Sequence, residues 1–153
     1  RSRTVVVSAA LIDDKKNIYI SSEDGVRKFS QDGKELWFYS TPGMMTFGVS
    51  LMEGAVFGTS QYGPVFALDM ETGKVLWSKR VSLVNPGDTG YTEAHNGVVV
   101  AGVDSGPGGG AKRVLGMDSK SGKVLWQYKS PTQLWNFMPV FPDDESFIVM
   151  DIH

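Results

Sequence analysis

The sequence predicts an all-β fold: a β-propeller of four-stranded antiparallel blades, with about three complete blades and half of a fourth, an incomplete ring. Three observations predict it. A segment ending in tryptophan recurs three times, at Trp37, Trp77 and Trp126. Between those tryptophans lie short runs rich in Val, Ile, Thr and aromatic residues, four to a repeat. Turn-forming pairs such as Asp24-Gly25, Asp32-Gly33, Glu53-Gly54 and Asn96-Gly97 separate the runs, and they supply the positive φ that tight hairpins need.

In chain order, the first unit predicts strands at 4–10, 17–22, 25–30 and 35–40. The second predicts 46–51, 55–60, 64–69 and 75–81, and the third 91–94, 98–103, 113–118 and 124–129. A fourth unit opens with strands at 136–141 and 146–151. Trp37 and Trp77 are 40 residues apart, and Trp77 and Trp126 are 49 apart. The added length falls in turns, chiefly the glycine-rich 104–112 stretch, and spares the strands. The expected organisation is one partial propeller over 1–153, with blades at about 4–40, 44–81, 88–129 and an incomplete 135–153.

The bulk numbers agree with a single globular unit. Hydrophobic residues make up 41% and charged residues 21% of the 153, which is not the balance of a disordered tail. Net charge is −2 and the cations are scattered, so no basic patch argues for nucleic acid. Pairs such as Lys79-Arg80 and Lys112-Arg113 read as solvated strand ends. With no cysteine, neither a disulfide nor a thiolate metal site can form. No apolar run approaches the length of a membrane span. The opening Arg1-Ser-Arg followed by apolar residues to Ile12 has the outline of a short signal segment, yet it also fits the first strand of the repeat.

The repeat carries a family resemblance. The run Ala67-x-Asp69-x-x-Thr72-Gly73-x-x-x-Trp77 is similar, position for position, to the tryptophan-docking motif of the quinoprotein-like (PQQ-like) repeat family. The next copy, Gly116-x-Asp118-x-x-Ser121-Gly122-x-x-x-Trp126, changes only Ala to Gly and Thr to Ser. The copy ending at Trp37 is degenerate: Lys28 and Ser30 replace the Ala and Asp, and Asp32-Gly33 holds the Thr-Gly place. The motif also makes sense on its own. A small twisted sheet cannot bury both faces alone, so a tryptophan on the flank of the adjacent blade supplies core. Asp69 and Asp118 are placed to accept turn N–H groups, Gly73 and Gly122 permit a left-handed turn, and Ala67 or Gly116 leaves room for a ring.

Chemistry is harder to find. Asp13-Asp14 and Asp143-Asp144-Glu145 fall in the same hairpin slot as Glu53-Gly54, which makes them turn tips and not a metal or acid–base pair. The run Gly106-Pro-Gly-Gly-Gly-Ala-Lys112 lacks P-loop spacing and a following helix; as a long loop it is still a place for ligand contact. His95 stands beside Asn96-Gly97 and reads as turn surface. Met44-Met45 and the Trp135–Met138 stretch read as core or channel lining.

Two functions follow from the resemblance. One is a non-catalytic binding or assembly scaffold whose loops hold a protein or small ligand, like the propellers of outer-membrane assembly. The alternative is part of a quinoprotein alcohol or sugar dehydrogenase that holds pyrroloquinoline quinone (PQQ) with Ca²⁺. No residue here matches the catalytic, cofactor or metal motifs of those enzymes, nor is there the vicinal cysteine pair many of them carry, so the reading leans away from catalysis and no cofactor is evident. The resemblance further implies a periplasmic or secreted setting. It also implies further blades of the same parent chain, seven or eight in all.

Overall fold

The computed structural model describes residues 5–61, 64–81, 91–104, 110–134 and 138–148. Twelve strands and no helix occur among them, arranged in three separate four-stranded antiparallel sheets that do not close into a ring. The first sheet holds β1 (Leu11–Ile12), β2 (Ile18–Ser22), β3 (Gly25–Phe29) and β4 (Glu35–Ser40). The second holds β5 (Ser50–Met52), β6 (Ala55–Thr59), β7 (Val65–Asp69) and β8 (Val75–Lys79). The third holds β9 (Thr92–His95), β10 (Val98–Val103), β11 (Ala111–Asp118) and β12 (Val124–Leu134). In each sheet, spatial order follows chain order, the meander expected of a propeller blade.

The hairpins form where the turn pairs predict. Glu53-Gly54 joins β5 to β6 and Asn96-Gly97 joins β9 to β10, each with positive φ at both residues (49° and 77°, 45° and 78°). That is the two-residue turn whose twist matches a right-twisted hairpin.

First strands depart most from the sequence reading. Where the sequence predicts a strand at 4–10, the described residues hold only a single bridge from Val6 to Ser22, and the first strand forms just beyond it at Leu11–Ile12. The chain still follows β2 at Val7, whose N–H donates to the Ser21 carbonyl at 3.0 Å, but residues 8–10 are not part of a strand. The strand predicted at 46–51 begins only at Ser50. Strands β11 and β12 run longer than expected, because Ala111 pairs with Leu134 beyond a bulge near Arg113. Of the fourth unit, the described part shows one bridge, Val140 to Ile148; residues 135–137 and 149–153 lie outside the described residues.

Cores lie between the sheets. Strands β6 and β7 are buried on both faces, and alternate residues serve different neighbours. Val56, Phe66 and Leu68 join Tyr19, Val26, Met45 and Val49 against the first sheet. Ala55, Phe57, Val65 and Ala67 join Val99, Ala101, Leu115 and Met117 against the third. Beyond the third sheet, Val100, Val114 and Leu134 gather Phe141 and Phe147 of the fourth unit. Each blade therefore owes its core to its neighbours, the arrangement of a repeat architecture.

Candidate functional site

Each docking tryptophan is the third residue of its outer strand, and the first two copies, Trp37 and Trp77, dock alike. Trp37 of the first sheet lies on the β7–β8 turn of the second, so close that a Cβ on Gly73 would fall 2.7 Å from its ring. Its indole N–H donates to the Met70 carbonyl at 3.2 Å. Trp77 lies in the same way on the turn of the third sheet, 2.6 Å from where a Cβ of Gly122 would stand, and donates to the Ser119 carbonyl at 2.7 Å. Gly73 and Gly122 thus answer two demands, positive φ (69° and 67°) and an aromatic ring on the α-carbon.

The turns are rigid enough to receive a ring. Asp69 Oδ1 accepts from the Thr72 backbone N–H at 2.8 Å and from its hydroxyl at 2.6 Å; Asp118 accepts from Ser121 at 2.8 and 2.5 Å. These hydroxyl donors hold both carboxyls below the ordinary aspartate range. Ala67 and Gly116 are paired across the ladder with Trp77 and Trp126 of their own sheets, so the small residue makes room for its own blade's tryptophan and not for a neighbour's. Trp126, third in the series, stacks on Phe147 at 5.3 Å with the planes 12° apart.

Lys28, at the degenerate Ala position, is the residue whose role the sequence hid. Its side chain is 1% exposed and crosses to the second sheet, where Nζ donates to the Met70 carbonyl at 2.9 Å and reaches Glu71 at 3.3 Å. Glu71 also takes Lys15, and these two lysines hold its carboxyl below the usual range. The departure from the motif is therefore an ionic strap between blades one and two.

Other sequence readings change in detail. His95 ends β9, and Nε2 pairs with Asp144 Oδ1 at 2.8 Å, so the turn histidine and the acidic tip clasp the third sheet to the fourth unit. Arg113, expected at a solvated strand end, binds Asp104, the Val81 carbonyl at 2.9 Å and Gln127 at 3.1 Å. Asp13 accepts from Asn17 and Tyr19, which outweigh its partial desolvation and lower its pKa. Met45 is buried in the core and Met138 borders a cavity together with Val49 and Glu93. Trp135 and residues 105–109 of the glycine-rich loop lie outside the described residues.

First-strand positions of all four units, among them Ser8, Val49, Glu93 and Met138, line a cavity of about 310 Å³. β4, β8 and β12 stand at the opposite edge of their sheets from the first strands. Burial raises the Glu93 carboxyl above the ordinary glutamate range. Glu93 is the one carboxylate among the residues that line the cavity, beside the hydroxyl-bearing Ser8, Tyr91 and Thr92. No group of three or more His, Cys, Asp or Glu side chains suited to a metal occurs among the described residues.

Comparison with known proteins agrees with this geometry. The family described as outer membrane protein assembly factor BamB matches residues 5–141. The chain belongs to the BamB family. The outer membrane protein assembly factor BamB of Nitrosomonas eutropha is 30% identical over 122 residues, covering 78% of this chain and 27% of that protein. The crystal structure of BamB from Moraxella catarrhalis superposes with a TM-score of 0.73 at 19% identity, covering 90% of this chain and 38% of that one. Quinohemoprotein alcohol dehydrogenase from Comamonas testosteroni gives a TM-score of 0.69 at 22% identity, covering 82% and 21%. That likeness to the dehydrogenase is one of fold. The chain spans between about a quarter and two fifths of the length of the BamB proteins it matches.

Proposed function

We propose that this chain is part of a non-catalytic propeller scaffold that binds protein partners during outer-membrane protein assembly, on the periplasmic side of that membrane. The observation that carries the reading is the BamB family match over residues 5–141. In this role the docked blades supply stiffness, and loops and edges supply contact. Domain limits follow: blades at about 4–40, 44–81 and 88–129, a fourth from 135, and the remaining blades of the ring from the same parent protein.

The test pairs two measurements on the parent protein. Immobilised on resin, it is expected to enrich outer-membrane assembly components from envelope extract. Addition of PQQ with Ca²⁺ is expected to produce neither dye reduction nor a rise in melting temperature. Quinone-dependent dye reduction would overturn the scaffold reading and establish the dehydrogenase.

A further inference from the structure

The cavity of about 310 Å³ among the first-strand positions is amphipathic, with its charge at one place. Val7, Ala9, Leu11, Val49 and Met138 give it an aliphatic wall. Tyr91 adds a ring, packed against Phe47 with 4.0 Å between centroids. Glu93 stands opposite Val100 in the β9–β10 ladder, so the two side chains share a face. Val100 belongs to the cluster that gathers Phe141 and Phe147, and Glu93 is thereby turned toward the fourth unit, whose Met138 borders the cavity. Thr92, the alternate residue, faces the second sheet, where its hydroxyl donates to the Phe57 carbonyl at 3.2 Å.

Charges turned between sheets elsewhere in this chain are met by partners. The Lys28 ammonium has the Met70 carbonyl and Glu71, and the Arg113 guanidinium has Asp104 and the Val81 carbonyl. Glu93 differs. It forms no ion pair among the described residues, and no residue lining the cavity is Lys, Arg or His. Burial alone acts on its carboxyl, with no donor or cation set against it.

A carboxylate held in a mostly apolar cavity is stabilised by a ligand that brings positive charge and covers the wall around it. A primary ammonium meets both conditions. Its three N–H donors suit a carboxylate flanked by hydroxyl-bearing residues, here Ser8 and Thr92, and its alkyl chain suits the aliphatic wall. We infer that this cavity binds a short aliphatic primary ammonium group, with Glu93 as its counter-ion. A free alkylamine and the lysine side chain of a partner both carry that group. The inference goes beyond the scaffold reading and does not depend on it.

The probe is n-pentylamine, titrated into the parent protein by calorimetry, with the amide NMR shifts of residues 7–11, 48–49 and 91–93 followed in parallel. Pentanol and pentanoate carry the same chain under a neutral and an anionic head, and acetyl-lysine amide stands for a partner's side chain. Pentylamine is expected to bind and to shift those amides, and both controls are expected to bind at least roughly tenfold more weakly. Glu93→Gln is expected to weaken pentylamine roughly tenfold and to leave pentanol unchanged, while Glu93→Asp retains the preference for the amine. Tighter binding of the lysine amide than of pentylamine would assign the group to a partner, and the reverse order to a free amine; either order upholds the site. Equal binding of pentanol and pentylamine by the unsubstituted protein would overturn the inference without recourse to any variant. No binding of either amine, undiminished binding of pentylamine by Glu93→Gln, or shifts confined to other residues would do the same. None of these outcomes bears on the dye-reduction assay, which tests the scaffold reading separately.

Discussion

At the scale of single residues, Gly122 and Gly54 separate two effects that usually travel together. Both have positive φ, 67° and 77°, but a Cβ on Gly122 would strike the Trp77 ring whereas one on Gly54 would meet nothing within 4 Å. Gly54→Ala is expected to cost about 1 kcal/mol, the conformational part alone. Gly122→Ala adds a steric clash, and its cost is expected to reach about 2–4 kcal/mol. Urea denaturation midpoints measure both, and equal losses would mean that the ring does not press on Gly122. Trp77→Ala is expected to cost about 3–5 kcal/mol, since it empties the space between two blades. An unchanged midpoint would contradict the docking.

At the scale of elements, the strap from β3 and the acid-capped turns make separable predictions. Lys28→Ala restores the motif residue but leaves a buried void beside Tyr19, and about 2–4 kcal/mol of loss is expected by thermal melting. Lys28→Met keeps the volume, and Trp37 still donates to the Met70 carbonyl, so a change within about 1 kcal/mol is expected. The turn aspartates contribute to the acid limb, with Asp13, Asp32, Glu71 and Asp143, whose carboxyls are also held low. Thr72 and Ser121 lower the carboxyl pKa values of Asp69 and Asp118 in the folded state. Their stabilisation is therefore complete above the unfolded value near pH 4, and is lost as pH falls through the lower folded values. Urea midpoints are expected to fall below about pH 4, and less steeply in Asp69→Asn with Asp118→Asn. Glu93 acts with the opposite sign. Burial raises its folded pKa, so ionisation opposes folding as pH rises past the glutamate range, and Glu93→Gln is expected to stabilise the chain at neutral pH.

At the scale of the whole molecule, each blade leaves its neighbour's core unfinished. Val114, Trp126, Tyr128 and Phe147 border an apolar cavity of about 390 Å³ on the far side of the third sheet, and Tyr128 is 50% exposed. As a free polypeptide, the 153-residue chain is expected to associate at micromolar concentration through this flank. Size-exclusion chromatography with light scattering is the check: a clean monomer would contradict it, and Trp126→Ser with Tyr128→Ser is expected to reduce association.

Much of this was legible in the residues, for a definite reason. Turn pairs such as Asn96-Gly97 and short runs of β-branched and aromatic residues such as β6 and β7 are local rules, and repetition multiplies them, so blade number, strand order and the Asp–Thr–Gly turns stand in the sequence itself. What a residue meets across two blades is not local. No spacing shows that Trp37 docks on Gly73, because which turn faces it depends on how two sheets pack. Lys28 reads as motif decay until packing brings the Met70 carbonyl to its ammonium group. His95 and Asp144 read as separate turn tips until adjacent blades set them 2.8 Å apart. The sequence by itself determined the blades; tertiary structure alone decided their joints, because burial and charge pairing between blades depend on neighbours some 40 residues away along the chain.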